Sequence, residues 1–144
     1  MQENNNKIKV ILKEPYKKPI VTYIENSLDS YQSIVGGDID CVEFPTIKNA
    51  DIVCNDEFLL LGLPGNFFVP HNEGAMAGNI IVAGYNPENG SHISLNDNQI
   101  KSALEYIETF EIPVGLDLYE DFNLLNECMK IKFKAFDKKH NAEM

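Results

Sequence analysis

The pattern of apolar and polar residues predicts two strands at the start of the chain. In residues 7–13 apolar side chains alternate with lysines, which is typical of a strand with one buried face. Residues 20–25, IVTYIE, are rich in the β-branched and aromatic residues that strands favour. Pro15 and Pro19 lie between these runs and indicate a turn, because proline cannot donate to a strand ladder. Residues 1–6 are polar, and we expect them to form a disordered tail.

A helix that ends at two glycines is predicted next, in the stretch NSLDSYQSIVGG. Asn26 can cap the start of this helix, because its side chain can accept a backbone N–H. Gly36 or Gly37 suits the left-handed residue that often ends a helix. A phosphate cradle would instead need glycines before the start of a helix, so the pair is interpreted as a helix cap. A strand follows directly at residues 38–44.

The middle of the chain is predicted to contain a hairpin and a long loop. Asn55 and Asp56 tolerate positive φ and therefore fit a tight hairpin turn between two strands. Pro64 and Gly65 fit the two central positions of a type II turn. Residues 67–78 follow no regular pattern and are predicted to form a loop, after which NIIVAGYN forms a short buried strand.

The clearest helix signal lies in the stretch SLNDNQIKSALEYIETF. Asn96 and Gln99 are placed to form a capping box at its start. Its apolar stripe comprises Ile100, Ala103, Leu104 and Ile107. Pro113 prevents the helix from continuing.

The last part of the chain fits two kinds of element. Its apolar residues Leu118, Phe122, Leu125 and Met129 have helical spacing. Residues 129–136, MKIKFKAF, alternate apolar side chains with lysine, and this alternation favours a terminal strand.

Together these elements predict one α+β domain with a mainly antiparallel sheet and two principal helices on one face. The two helices in question are the one before Gly36 and the one that begins after Asn96. We expect residues 7–112 to form the core domain and residues 113–144 to be a C-terminal extension packed on it.

The net charge of −10 changes the picture of function more than the rest of the composition does. Direct binding to nucleic acid is not expected, because neutralising phosphates requires clustered lysine and arginine. Three cysteines without a CxxC spacing are typical of a reduced, cytoplasmic protein. No stretch approaches the roughly 18 apolar residues of a membrane span, so no membrane association is expected.

The sequence lacks the common catalytic and metal-binding motifs. The sequence contains no HExxH, no P-loop, no dinucleotide fingerprint and no G-x-S-x-G. The three histidines His71, His92 and His140 are interpreted as loop residues in solvent, and Cys54 as a buried strand residue. No catalytic residue, metal or cofactor is therefore predicted.

The order of three short motifs resembles a family of small proteins of unknown function from phages, plasmids and conjugative elements of Gram-positive bacteria. The motifs are IENSLDSYQSIVGG from Ile24 to Gly37, then VCNDE from Val53, then LGLPGN from Leu61. The resemblance implies an accessory protein of a mobile element and carries no activity. Where members of that family tend to have arginine, this chain has Phe67, which puts any anion contact at that position in doubt.

Two binding hypotheses remain. The first is a non-catalytic accessory protein of a mobile genetic element that acts on a host cytosolic component, for example as an acidic mimic of nucleic acid. The partner would be a host or element-encoded protein, and a homodimer is compatible with the sequence. Its candidate partner-binding residues are Asp38, Asp117, Glu120 and Asp121.

The alternative is a small-ligand-binding protein with a pocket near residues 62–78. The candidate ligand-binding residues are Gln32, Asn55, Asn66 and His71. Gln32 is polar on an otherwise apolar helix face, so its amide either bonds the nearby glycine reversal or contacts a ligand.

Overall fold

A central antiparallel sheet organises the computed structural model, which describes residues 6–58, 60–70, 74–114 and 122–142. Five strands follow the order β2-β1-β7-β4-β3, and β8 pairs with β7 as the sixth. Strands β5 and β6 form a separate two-stranded sheet. The elements are β1 Lys7–Lys13, β2 Ile20–Glu25, α1 Leu28–Val35, β3 Ile39–Glu43, β4 Ala50–Asn55, β5 Gly65–Val69, β6 Gly74–Ala77, β7 Ile80–Tyr85, β8 His92–Ile93, α2 Asp97–Phe110 and α3 Phe122–Ala142.

Each face of the large sheet has its own hydrophobic core, because successive strand residues point to opposite sides. On one face Val53 and Ile81 pack with Tyr31 and Val35 of α1. On the other face the core includes Ile52 and residues of α2, α3 and the β5–β6 hairpin. The predicted α+β class and mainly antiparallel sheet are confirmed.

Two long helices do share one face, but they are α2 and α3. The sequence predicted that α1 and α2 share a face, but α1 covers the opposite face of the sheet. Hydrophobic periodicity shows which stripe of a helix is buried and not which side of a sheet receives it.

The two glycines after α1 form the predicted cap. Gly36 has a φ of 84°, in the left-handed region. The N–H groups of Gly36 and Gly37 donate to the carbonyl of Gln32 over 2.8 and 3.1 Å. At the other end the N-cap is Ser27 and not Asn26. The side chain of Asn26 is instead used in a long-range contact, as its Nδ2 donates to the carbonyl of His92 over 2.9 Å.

The middle segment differs from its prediction. After β4 the chain continues in turns, so Asn55 and Asp56 do not form a tight hairpin turn. A positive φ of 64° occurs at Gly62, and Gly65 begins β5. β5 and β6 lie largely in the part predicted as a loop. The five residues of β5 are all buried, so this strand shows no alternation of buried and exposed residues.

α2 begins as predicted, with both hydrogen bonds of the capping box between Asn96 and Gln99. Its buried face includes Ala103 and Ile107 and is completed by two aromatic residues, Tyr106 and Phe110. The hydroxyl of Tyr106 donates to a backbone carbonyl of β5, over 2.9 Å.

The prediction of a terminal strand is wrong, since residues 122–142 form the helix α3. Leu125 and Met129 are buried, and Phe133 and Phe136 pack beside them against the α2 face. These positions recur at helical spacing, and the contacts with the α2 aromatics outweigh the local strand-like alternation. Residues 1–5 of the expected tail lie outside the described residues.

Candidate functional site

One edge of the large sheet carries a row of exposed carboxylates. β3 is the edge strand and pairs only with β4 among the described strands. We define the acidic edge as the exposed side chains of Asp38, Asp40, Glu43, Asp56 and Glu57. The N–H of Asp56 donates to the carbonyl of Asp38 over 2.8 Å, which places the turn after β4 beside the start of β3.

Two residues predicted for different roles meet at the acidic edge. Nε2 of Gln32, on α1, donates to Oδ1 of Asp38 over 3.2 Å. Gln32 is half-buried, so its amide finds a partner at the end of the helix that it belongs to. The contact holds one carboxylate of the acidic edge in place.

The other end of the strand order, formed by β1 and β2, is rich in lysine. β1 and the turn after it contain five lysines, namely Lys7, Lys9, Lys13, Lys17 and Lys18. Residues 38–57, by contrast, contain six carboxylates and one lysine. Since β1 and β2 lie at one end of the strand order and β4 and β3 at the other, the sheet separates its charges.

Lys13 differs from the other lysines because its side chain is fully buried. Its Nζ lies 2.9 Å from Oε2 of Glu111 and donates to the carbonyl of Glu14 over 2.7 Å. A buried ammonium with two such partners contributes to the structure and offers no free charge to a ligand.

Asn55 and Asn66 are both buried and bonded to the backbone. Nδ2 of Asn55 donates to the carbonyl of Val35 over 3.2 Å and so ties the end of α1 to β4. Nδ2 of Asn66 donates to the carbonyls of Lys13 and Gly78 over 2.7 and 2.8 Å. Gln32 and Asn55 therefore lie at the same end of α1. Asn66 connects β1 to Gly78, which lies just before β7.

Four of the residues predicted for binding lie outside the described residues. They are His71, Asp117, Glu120 and Asp121. Their roles stay predictions.

A groove lies between the end of α1 and the turn that precedes β5. Two adjoining cavities of about 360 and 270 Å³ form it, and both are lined by Glu14, Ile34 and Asn79. We call this the Asn79 groove. Of residues 62–78, where a pocket was expected, Leu63, Pro64 and Gly78 line the larger cavity. The candidate residues Gln32, Asn55 and Asn66 line neither of these two cavities, and a ligand site here stays a prediction.

Sequence reasoning missed a histidine–carboxylate pair on the α1 side of the sheet. Nε2 of His92 lies 3.0 Å from Oδ2 of Asp51, and the two side chains are only 14% and 15% exposed. The ring of Tyr31 packs edge-on against the imidazole, with centroids 5.5 Å apart. The Tyr31 hydroxyl also donates to Asn26, which bonds the carbonyl of His92. His92 was interpreted as a solvent residue, and no local motif reveals a partner 41 residues away.

Asp51 also lines a cleft of about 330 Å³ together with Glu43, Asn49, Ala50 and Tyr85. Glu43 is the cross-strand partner of Asp51, so two carboxylates come together beside an aromatic ring. Such a cleft can accept hydrogen bonds from a cationic group and offer it an aromatic face.

Cys41 on β3 and Cys54 on β4 are poor nucleophiles. Burial, with a smaller contribution from nearby Asp40, raises the pKa of Cys54 to about 12. Cys41 reaches the surface. Desolvation by its surroundings still raises the pKa of Cys41, with Asp51 and Asp40 adding to the effect. The thiolate that nucleophilic attack requires is therefore disfavoured at both positions.

The family of the chain follows from a comparison with known protein families. The family described as Domain of unknown function (DUF3846) matches residues 8–111. The chain belongs to the DUF3846 family. No curated protein and no solved structure gives a significant match. The expectation of a family of unknown function, drawn from the motifs, is thereby confirmed.

The DUF3846 region contains both the acidic edge and the Asn79 groove. It begins within β1 and ends directly after α2, so α3 is outside the match. The surfaces described above consequently belong to the DUF3846 domain itself.

Neither a cluster of metal ligands nor a membrane-spanning helix is found within the described residues. Across residues 6–58, 60–70, 74–114 and 122–142, no three side chains of His, Cys, Asp or Glu come together as metal ligands. In the same part of the chain no helix has both the length and the apolar character to cross a membrane.

Proposed function

We propose that the chain is a non-catalytic binding protein that uses its acidic edge to contact a basic surface of a partner protein. The observation that carries this proposal is the concentration of exposed carboxylates on β3 and the adjoining turn, opposite a basic side of the sheet. Grouped like charges repel each other and destabilise the folded chain. A partner with lysine or arginine at its surface would relieve this repulsion.

The resemblance of the motifs to proteins of phages, plasmids and conjugative elements adds a biological setting to the proposal. In this setting the chain is an accessory protein of a mobile genetic element and its partner is a host or element-encoded protein. The acidic edge would occupy a surface that otherwise binds nucleic acid. The acidic cleft at Glu43 and Asp51 supports the same chemistry, because it suits a single basic side chain.

The experiment is a pull-down from host lysate at a series of salt concentrations. Capture through the acidic edge should weaken steeply between about 0.05 and about 0.5 M salt, because the distance over which exposed charges interact falls from about 14 Å to about 4 Å in that range. The variant Asp38→Lys, Asp40→Lys, Asp56→Lys should lose the captured protein. Capture by this variant at full strength would contradict the proposal.

A matched control separates the acidic edge from net charge alone. Glu88, Glu108 and Glu127 are exposed carboxylates away from β3, on a turn, α2 and α3. Changing all three to lysine alters the net charge by the same amount. This control should capture the partner nearly as well as the original protein.

The Asn79 groove favours a second candidate function, the binding of a small ligand. Its larger cavity, of about 360 Å³, reaches the size of small-molecule sites, which begin at about 300 Å³. Native mass spectrometry of the purified protein would detect a co-purified molecule. The substitution Ile34→Trp should displace it by filling the groove, whereas Leu28→Trp, on the exposed side of the same helix, should not. Retention of the molecule by the Ile34 variant would contradict a site in this groove.

A further inference from the structure

The second edge of the sheet differs from the acidic edge, because it carries exposed apolar side chains. β2 is the edge strand on the basic side and pairs only with β1 among the described strands. Ile20, Val21 and Tyr23 are 55%, 40% and 61% exposed. Edge strands commonly carry charges, prolines or bulges that prevent pairing with another chain. Between Ile20 and Ile24 β2 has none of these.

The two edges of the sheet therefore differ in what they can bind. The acidic edge repels a second copy of itself, because its carboxylates would face one another. β2 presents apolar side chains and an open row of backbone groups. This contrast leaves β2 as the edge on which a second copy of the chain can add.

We propose that β2 pairs antiparallel with β2 of a second copy, about a two-fold axis that passes beside Thr22. A two-fold axis perpendicular to a continuous sheet keeps each side chain on its own face. Because strand side chains alternate with a period of two, opposed residues must then be an even number of positions apart. The axis can accordingly lie at one of three central residues, Val21, Thr22 or Tyr23.

The choice of Thr22 follows from the side chains that each register would oppose. With the axis at Thr22, Val21 lies opposite Tyr23 and Ile20 opposite Ile24. Pairs of an aromatic and a β-branched residue are among the stabilising cross-strand pairs. With the axis at Tyr23, Val21 would oppose Glu25. With the axis at Val21, Tyr23 would oppose Pro19.

The ends of the strand match this register as well. Pro19 lies opposite Glu25 of the second copy and ends the pairing, since proline has no N–H to donate. Lys17 and Lys18, which precede the strand, come next to Glu25 of the second copy. Symmetry repeats this contact between opposite charges at both ends of the paired strands.

The resulting dimer has one continuous antiparallel sheet, with an acidic edge at each far end. It does not depend on the proposed function, and it would give that function two acidic edges in one particle. Each copy carries a net charge of −10, so screening by salt should tighten the dimer. Capture of a basic partner by the acidic edge responds to salt in the opposite direction.

Sedimentation velocity over a concentration series tests the dimer. The variant Val21→Lys, Tyr23→Lys should raise the dissociation constant at least about tenfold, because two charges would then oppose two charges. Leu28→Lys with Ile131→Lys changes two exposed apolar residues outside β2 and should leave it unchanged. A protein that stays monomeric at about 100 μM and about 0.5 M salt, or a control that dissociates equally, would overturn the proposal.

Cysteine cross-linking tests the register and does not require the lysine variant to fold. In a background with Cys41→Ser and Cys128→Ser, which removes the two exposed thiols, Thr22→Cys places two thiols at the axis. Opposed Cα atoms in an antiparallel pair lie within the roughly 7 Å that a disulfide can span, so a disulfide-linked dimer should form. Ile20→Cys is on the same strand face but away from the axis and should not cross-link. Equal cross-linking of the two variants, or none at Thr22, would overturn the register.

Discussion

At the scale of single residues, the conformation of Gly36 is set within its own helix, whereas Asn26 and His92 contact residues far along the chain. The glycine cap could be predicted, because the conformation of Gly36 is set by the end of its own helix. The role of Asn26 could not be predicted, because its side chain does not cap the helix and instead bonds to β8, far along the chain. The pairing of His92 with Asp51 likewise requires β8 to lie across β7.

The left-handed conformation of Gly36 gives a clean substitution experiment. A Cβ at this position would meet no atom within 4 Å, so any cost comes from the backbone alone. We expect Gly36→Val to reduce the free energy of unfolding by at least about 1 kcal/mol, as β-branched residues fit left-handed φ badly. Gly36→Asn should cost less. Equal stability of all three proteins in urea unfolding would contradict the cap.

The raised pKa of the buried thiol predicts its reactivity. Because thiolate is the reactive form and burial raises the pKa of Cys54 to about 12, alkylation at pH 8 should not modify it in the folded protein. Unfolding in urea should expose Cys54 to the reagent. Intact-mass spectrometry would count the modified thiols, with Cys54→Ala identifying the protected one. Rapid alkylation of Cys54 without denaturant would contradict its burial.

At the scale of elements, α2 could be read from the sequence because its cap and its apolar stripe agree. α3 could not, because alternation and helical spacing coexist in residues 129–136. What decides between them is the aromatic surface of α2, where the ring of Phe136 lies 5.6 Å from Tyr106 and 5.3 Å from Phe110. β5 was missed for the related reason that a short strand whose residues are all buried shows no alternation.

The packing of α3 predicts unequal effects of substitutions along one helix. Leu125 and Met129 are each 8% exposed, whereas Ile131 is 71% exposed. Leu125→Ala or Met129→Ala should destabilise the protein by about 2–4 kcal/mol, because each leaves a cavity in the core. Ile131→Ala should change the stability by less than about 0.5 kcal/mol. Chemical unfolding would show three equal effects if residues 122–142 did not pack as a helix on α2.

At the scale of the whole molecule, the sequence supplies the total charge and the fold supplies its distribution. The strand order carries β3 to one end of the sheet and β2 to the other, and this order cannot be read from strand patterns. Lysines near the start of the chain are thereby separated from the carboxylates of residues 38–57. An acidic edge at β3 and an apolar edge at β2 are properties of this topology.

The clustering of charge predicts that neutralising the acidic edge stabilises the protein. Asp38 and Asp56 are adjacent, since the backbone N–H of one donates to the carbonyl of the other. Removing both charges should relieve a repulsion that an even distribution would not produce. We expect Asp38→Asn, Asp56→Asn to gain up to about 1 kcal/mol in urea unfolding at low salt.

The salt dependence of this gain distinguishes repulsion from any other effect of the substitutions. Repulsion between exposed charges is screened, so the gain should largely disappear at about 1 M salt, where screening acts over about 3 Å. Glu88→Gln, Glu127→Gln removes the same number of charges from separate surfaces and should gain less at low salt. A gain that persists at high salt, or one that the control matches, would show that the acidic edge holds no unusual repulsion for a partner to relieve.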